Sequence, residues 1–201
     1  MNLDKFYPIF ETSDWLERLL PIGIKLVQLR IKDKSKKEVR SEIKKAKLLC
    51  YDFNAQLIVN DYWEIAIDEN CDFVHIGQED LLGCDIKKLK SNNIKFGIST
   101  HDQKELNTAL LHEPDYIALG PIYPTILKKM KWSQQGVSKL LEWKKQLDKI
   151  PLVAIGGMTP SRSIKAFNYG ADIVSAVTDI TLNHDPEARV KEWLEITKVN
   201  V

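Results

Sequence analysis

Cysteine is scarce in this sequence. Its three cysteines, Cys50, Cys71 and Cys84, are odd in number and lack the paired spacing of a thiolate metal site, so neither a disulfide framework nor a zinc cluster is expected. Long hydrophobic runs are missing as well. The apolar segments near Tyr116 and Leu152 end within about eight residues, well short of the roughly 20 that cross a bilayer. Nor is there an excess of one charge: 29 Lys plus Arg against 28 Asp plus Glu leave +1, which supplies no global field to attract nucleic acid or a membrane surface. Any anion site must be local. The opening Met-Asn-Leu-Asp-Lys lacks the basic-then-apolar profile of a secretory signal, so a soluble protein of the reducing cytoplasm is the expectation. There is no Ser/Gly linker, low-complexity tract or charge-segregated tail. One domain over residues 1–201 is the expected organisation.

What is present is ordinary for a packed protein: 201 residues, 44% apolar and 28% charged. Short runs rich in Val, Ile, Phe and Tyr recur eight times, at Phe6–Phe10, Lys25–Ile31, Gln56–Val59, Phe73–Ile76, Lys95–Ile98, Tyr116–Leu119, Leu152–Ile155 and Ile173–Val177. Each reads as a buried strand. Between them lie amphipathic stretches such as Lys36–Cys50, with Val39, Ile43, Ala46 and Leu49 near one face, and Gln103–Leu111; another, Pro186–Thr197, follows the last strand. Ser13, Thr159-Pro160 and Asp185-Pro186 mark helix starts. Eight strand-then-helix units in about 200 residues predict a short single-domain (β/α)8 TIM barrel, with an open doubly wound sheet as the alternative. The longest unpatterned stretch, Pro124 to Gly136, falls inside the sixth unit and is the first candidate for a functional loop.

In a parallel barrel the strand C-termini and the loops after them form the ligand-binding face, and here those positions are polar. Strand two ends Gln28-Leu29-Arg30-Ile31-Lys32, and period-two alternation puts Gln28, Arg30 and Lys32 on one side. A surface strand would alternate in the same way, but strands covered by helices should turn their polar set into the mouth. Strands three and four end at Asn60-Asp61 and His75-Ile76-Gly77-Gln78-Glu79-Asp80. With no His/Cys ligand cluster, Asp61 and Asp80 suit Mg²⁺ shared with substrate phosphate; as the alternative they merely cap the following helices. His75 reads equally as a core histidine satisfied by backbone. Strand five offers Ser99 at Gly97-Ile98-Ser99-Thr100-His101, and the sixth loop offers Thr125 and Lys128, with Lys129 and Lys131 expected in solvent. Gly156-Gly157 after strand seven and Val177-Thr178 after strand eight occupy the usual phosphate position of such barrels, although a glycine pair also makes a simple tight turn. Two anion regions at one mouth imply two phosphorylated small-molecule substrates.

The succession Val27-Gln28-Leu29-Arg30-Ile31-Lys32, Ile58-Val59-Asn60-Asp61, Val74 to Asp80, Gly97 to His101, Gly120-Pro121-Ile122-Tyr123-Pro124-Thr125 and Ala154-Ile155-Gly156-Gly157 resembles the thiamine phosphate synthase family in order and spacing, over nearly the whole chain. The resemblance implies a short (β/α)8 barrel that joins 4-amino-5-hydroxymethyl-2-methylpyrimidine diphosphate to 4-methyl-5-(2-hydroxyethyl)thiazole phosphate, with Mg²⁺, giving thiamine phosphate and pyrophosphate. By that likeness Gln28, Arg30, Lys32, Asn60, Ser99 and Lys128 would hold the pyrimidine diphosphate, with His75 near its ring. Asp61 and Asp80 would hold Mg²⁺. Thr125, Gly157, Val177 and Thr178 would hold the thiazole phosphate, while Arg30, Lys32 and Lys128 would stabilise the departing diphosphate. The family reaction is dissociative and calls for no protein nucleophile, which agrees with the lack of a Ser-His-Asp or Cys-His set.

Two departures stand out. Where the family loop commonly reads Thr-x-Thr-Lys, this chain reads Thr125-Ile126-Leu127-Lys128, and where many members have Ser-Ala after strand eight it has Thr178-Asp179. Asp179 must therefore point away from any phosphate. Two other activities remain in view: a thiazole tautomerase, whose usual His after the sixth-loop Gly is Pro121 here, and a non-catalytic barrel that binds phosphorylated ligands. Nucleic-acid and membrane partners are not expected, and a homo-oligomer is left open.

Overall fold

The computed structural model describes residues 3–125 and 132–199. Eight parallel strands, β1 (Phe6–Phe10), β2 (Leu26–Leu29), β3 (Gln56–Asn60), β4 (Phe73–Ile76), β5 (Lys95–Thr100), β6 (Tyr116–Leu119), β7 (Leu152–Ile155) and β8 (Ile173–Ala176), pair in sequence order. Pairing of Tyr7 with Ser175 joins β1 to β8 and closes the ring, which excludes the open sheet. The helices are α1 (Ser13–Leu19), α2 (Lys36–Asp52), α3 (Trp63–Asp68), α4 (Gln78–Leu81), α5 (Ile86–Ser91), α6 (Gln103–Leu110), α7 (Ser138–Leu147), α8 (Pro160–Asn168), α9 (Thr178–Thr181) and α10 (Pro186–Val199).

The strands are buried on both faces, as expected of a sheet wrapped by helices. One set of strand residues packs beneath the helices, against Val39, Ile43 and Ala46 of α2 and Trp193 of α10 among others. The other set fills the barrel: Tyr7, Leu26, Ile58, Phe73, Tyr116, Ala118, Val153 and Ile173 form an interior cluster. The barrel floor is thus solid side chain.

Helix starts follow local chemistry. Ser35 and Glu38 form a reciprocal capping box at α2, Asp102 accepts the Glu105 amide hydrogen at 2.9 Å at α6, and Thr159 precedes Pro160 at α8. At α10 the Asp185 carboxylate accepts the Ala188 amide hydrogen at 2.9 Å. Ser13 is not a cap. It is the first residue of α1, and its amide donates at 2.7 Å to Glu42 Oε2 on α2, so a neighbouring helix supplies the acceptor instead. Strand two is shorter than its apolar pattern, because Arg30 leaves the ladder after donating its backbone N–H to Phe10 O at 2.8 Å.

Candidate active site

A cavity of about 650 Å³ opens at the strand C-termini, and residues from all eight strands or their following loops line it. Gln28, Arg30, Lys32, Asn60, Asp61, His75, Asp80, Ser99, Thr125, Gly157, Val177 and Thr178 all border it. The structure therefore brings together every site residue expected from sequence except Lys128, which lies outside the described residues, as do Leu127, Lys129 and Lys131.

The cationic side is built from β2. Alternation turns Gln28 and Arg30 inward and sends Leu29 and Ile31 into the outer core, as the sequence pattern requires. Gln28 is buried, Arg30 half-buried, and Lys32 exposed at the rim. Next to it, after the neighbouring strands β3 and β4, stand the carboxylates. Asp61 adopts a left-handed backbone (φ 61°), and its Oδ1 accepts the Gly77 amide hydrogen at 3.2 Å while Asn60 donates its side-chain amide to Oδ2. Asp80 sits inside the first turn of α4, whose cap residue is Gly77.

Neither aspartate caps its following helix through its side chain; instead both face Gly77, where a β-carbon would lie 3.5 Å from Asp80 Oδ2 and 3.6 Å from Asp61 Oδ1. Burial and, less strongly, the charge of Asp80 push the Asp61 carboxyl above its usual range, against the lowering effects of the Gly77 amide, Asn60 and Arg30. Two crowded carboxylates beside an arginine form a site short of positive charge. Among the described residues no cluster of three or more His, Cys, Asp or Glu forms a metal cage. The pair fits an ion that takes one or two carboxylates and completes its shell with water and substrate oxygens, as Mg²⁺ does.

His75, on β4 beside Asn60 of β3, is 7% exposed. Its nitrogens are engaged by side chains rather than backbone: Nδ1 with the Tyr116 hydroxyl at 2.6 Å and Nε2 with Ser99 Oγ at 2.7 Å. Burial first, and the nearby Arg30 charge second, lower its pKa to about 3, so the ring is neutral near pH 7. Two neighbouring features were not among the expected site residues. Gln78 ties α4 to β5 by donating from Nε2 to Ser99 O at 2.7 Å. Trp132 stacks on His101 (ring centroids 4.1 Å apart, planes at 13°), and Nδ1 of that histidine is held at 2.7 Å by Glu105. Only the strand-end position of His101 could have hinted at this pair.

The remaining side is backbone-rich. Gly157 (φ 61°) turns where a β-carbon would overlap the Pro124 carbonyl and lie 2.9 Å from Tyr123 Cβ, so only glycine lets the seventh and sixth loops touch. The sixth loop is strapped to that turn: Ile122 N–H donates to Ile155 O at 2.9 Å and Tyr123 N–H to Gly156 O at 3.0 Å. Its return limb comes back onto the same segment through Gln135 N–H to Pro121 O at 2.7 Å. Thr178 opens α9 at the cavity wall. Asp179 points away from the mouth, as its charge requires, accepting two hydrogen bonds from Arg189 at 2.7 and 2.8 Å and one from Trp193 Nε1 at 2.8 Å.

Residues 7–180 match the model of the family described as thiamine monophosphate synthase. The chain is 54% identical to a thiamine-phosphate synthase of Rhizobium etli over 98% of its own length and 97% of that protein's. It is 39% identical to the Salmonella typhimurium protein of that name, covering 96% of this chain and 92% of the relative. A solved thiamine phosphate pyrophosphorylase from Pyrococcus furiosus has the same fold, with a TM-score of 0.87 at 24% identity over 100% of this chain and 98% of that one. With a closed barrel, a family match over residues 7–180 and near full-length relatedness, this chain belongs to the thiamine monophosphate synthase family.

Proposed function

We propose that the barrel mouth joins the pyrimidine diphosphate to the thiazole phosphate by dissociative substitution, releasing pyrophosphate and thiamine phosphate. The observation that carries this assignment is the convergence of Arg30, Lys32, Asp61 and Asp80 on one cavity, opposite Gly157, Val177 and Thr178. The first group suits a diphosphate with its counter-ion, and the second a single phosphate.

In this reading Arg30 and Lys32, with Lys128 from the sixth loop, hold the diphosphate, and Gln28, Asn60 and Ser99 orient it and its pyrimidine. Asp61 and Asp80 would hold Mg²⁺, which when bound neutralises charge on the diphosphate oxygens. The bond from the pyrimidine methylene carbon to the diphosphate oxygen breaks, and its electron pair leaves with pyrophosphate. The ring-stabilised methylene cation then accepts the lone pair of the thiazole nitrogen, forming the new C–N bond. Arg30, Lys32 and Lys128 favour the first step by meeting charge as it develops on the leaving group. Thr125, Gly157, Val177 and Thr178 favour the second by holding the thiazole within reach, so that capture outpaces water. No proton need move at any step, which suits a neutral His75 whose nitrogens are both engaged. The same engagement keeps His75 from acting as an acid or base, and Pro121 stands in the sixth loop where tautomerases usually carry a His, both of which count against tautomerase chemistry.

The test is direct. Purified protein incubated with both phosphorylated precursors and Mg²⁺ should yield thiamine phosphate and pyrophosphate in equal amounts. Binding of the thiazole phosphate without product would overturn the assignment in favour of a non-catalytic binding barrel.

A further inference from the structure

Directly beneath the mouth, five polar side chains from five strands form a continuous hydrogen-bonded row. Gln28 Nε2 donates to the Tyr7 hydroxyl at 2.8 Å, and the Tyr7 and Tyr116 hydroxyls lie 2.9 Å apart. The Tyr116 hydroxyl meets His75 Nδ1 at 2.6 Å, and His75 Nε2 meets Ser99 Oγ at 2.7 Å. Gln28, His75 and Ser99 border the cavity, whereas Tyr7 and Tyr116 lie wholly below it. The fold makes deliberate room for the row: a β-carbon at residue 97 would overlap the Tyr116 ring, and Gly97 removes it. Both phenols stay protonated, since burial raises their pKa above its ordinary value.

Each hydroxyl has one hydrogen to donate, and a neutral imidazole has one. Because Gln28 gives an N–H to Tyr7, the Tyr7 hydrogen goes to Tyr116, the Tyr116 hydrogen to His75 Nδ1, and the imidazole proton sits on Nε2, donated to Ser99. The two ends are then fixed: Gln28 presents its carbonyl oxygen to the mouth and Ser99 its hydroxyl hydrogen. Reversing one member alone would leave two donors, or two acceptors, face to face in a buried place, so the row keeps or inverts its direction as a unit.

We propose that Tyr7 and Tyr116 are positioning residues that couple Gln28 to His75 and Ser99, so that both ends of the row keep the direction set by the Gln28 donor. They thereby make the mouth selective for a ring edge offering a donor to Gln28 and an acceptor to Ser99. An aminopyrimidine has that pattern in its exocyclic amino group and its ring nitrogens. The corresponding 4-oxo ring carries an acceptor where the amine was and is mismatched at Gln28. This proposal rests on the reading that the pyrimidine diphosphate occupies this end of the site.

The first measurement needs no substrate. ¹⁵N NMR of histidine-labelled protein, with the His75 signals assigned by their loss in His75→Gln, should show Nε2 protonated and Nδ1 unprotonated between pH 5 and 8. Tyr116→Phe should turn this into a mixture of tautomers. The same variant should lose about 10- to 100-fold in kcat/KM for the pyrimidine diphosphate while the KM for the thiazole phosphate stays within about twofold, and its preference for the 4-amino over the 4-oxo ring should narrow about tenfold. Tyr7→Phe, the alternative should Tyr116→Phe fold poorly, keeps the Tyr116–His75 bond and should narrow the ring preference with the His75 tautomer unchanged.

A wild-type His75 protonated on Nδ1 overturns the proposal. So does an unaltered ring preference in the folded variants, which would make the tyrosines packing residues only. A wild-type protein that turned over neither precursor would instead sink the synthase assignment, with the tautomer still testing the row.

Discussion

At the scale of single residues the most consequential side chain is Asp61. Its carboxyl ionises less readily in the folded chain than in the unfolded one, so at neutral pH the folded state carries a cost from this group. The cost is absent below the ordinary carboxylate value near ~3.9, grows as pH rises from there through the raised folded value, and persists above it. Without Mg²⁺, Asp61→Asn should therefore unfold at a higher temperature than wild type at pH 7, with the gap closing as pH falls through that window. With Mg²⁺, wild type should gain stability that the variant does not, and Mg²⁺-dependent turnover of the variant should fall at least about tenfold. Melting scans against pH, with and without the metal, measure both; a variant that melts below wild type at pH 7 would remove Asp61 from this role. Lys128→Ala should slow the single-turnover chemical step more than it weakens thiazole phosphate binding, and an unchanged rapid-quench rate would argue against a part in diphosphate departure.

Legibility at this scale was uneven for a physical reason. Gln28, Arg30, Asn60, Asp61 and Asp80 were readable because polar side chains at the ends of apolar strands have few places to go except the mouth. Tyr7 and Tyr116 were not, since a tyrosine inside an apolar run looks like core, and only three-dimensional register shows which other polar groups its hydroxyl meets. His75 was read as satisfied by backbone or as a ring beside the substrate; its actual partners sit 24 and 41 residues away in sequence.

At the scale of elements, the sixth and seventh loops act together because the Gly157 turn has no space for a side chain. Gly157→Ala should push the Tyr123–Pro124 segment away. The result expected is a loss of about 1–3 kcal/mol in stability and a rise in KM for the thiazole phosphate of at least about tenfold, with a smaller change for the pyrimidine diphosphate. Steady-state kinetics with each substrate varied separately would decide it, and equal rises for both would place the effect elsewhere. The eight strands were legible, four of them to the residue, since short β-branched and aromatic runs between amphipathic stretches admit few other readings. The Gln78–Ser91 region was not, because its two short helices, α4 and α5, each expose too little periodic pattern.

At the scale of the molecule, closure depends on the first strand and the last helix. Phe6 of β1 stacks on Trp193 of α10 (centroids 5.1 Å apart, planes at 11°), and Trp193 also donates to Asp179 beside Thr178. Trp193→Ala should cost about 3–5 kcal/mol, measured by urea unfolding at constant m-value, and should loosen the α9 wall enough to raise the thiazole phosphate KM. A loss under about 1 kcal/mol would mean that the seam is held elsewhere. Sequence counting could suggest eight units but not a ring, since closure resides in the pairing of Phe6, Tyr7 and Pro8 with residues near 175, a contact no local pattern encodes.

The packed floor of Tyr7, Leu26, Ile58, Phe73, Tyr116, Ala118, Val153 and Ile173 has one more effect. A vessel closed at the bottom by these side chains is entered from the strand C-terminal end, through which two guests arrive and two depart. A pyrimidine placed, as proposed, on the Gln28 and Ser99 ends of the polar row rests nearest that floor, so an early arrival of the other guest stands in its way. Flooding such a vessel with thiazole phosphate should therefore throttle it rather than drive it.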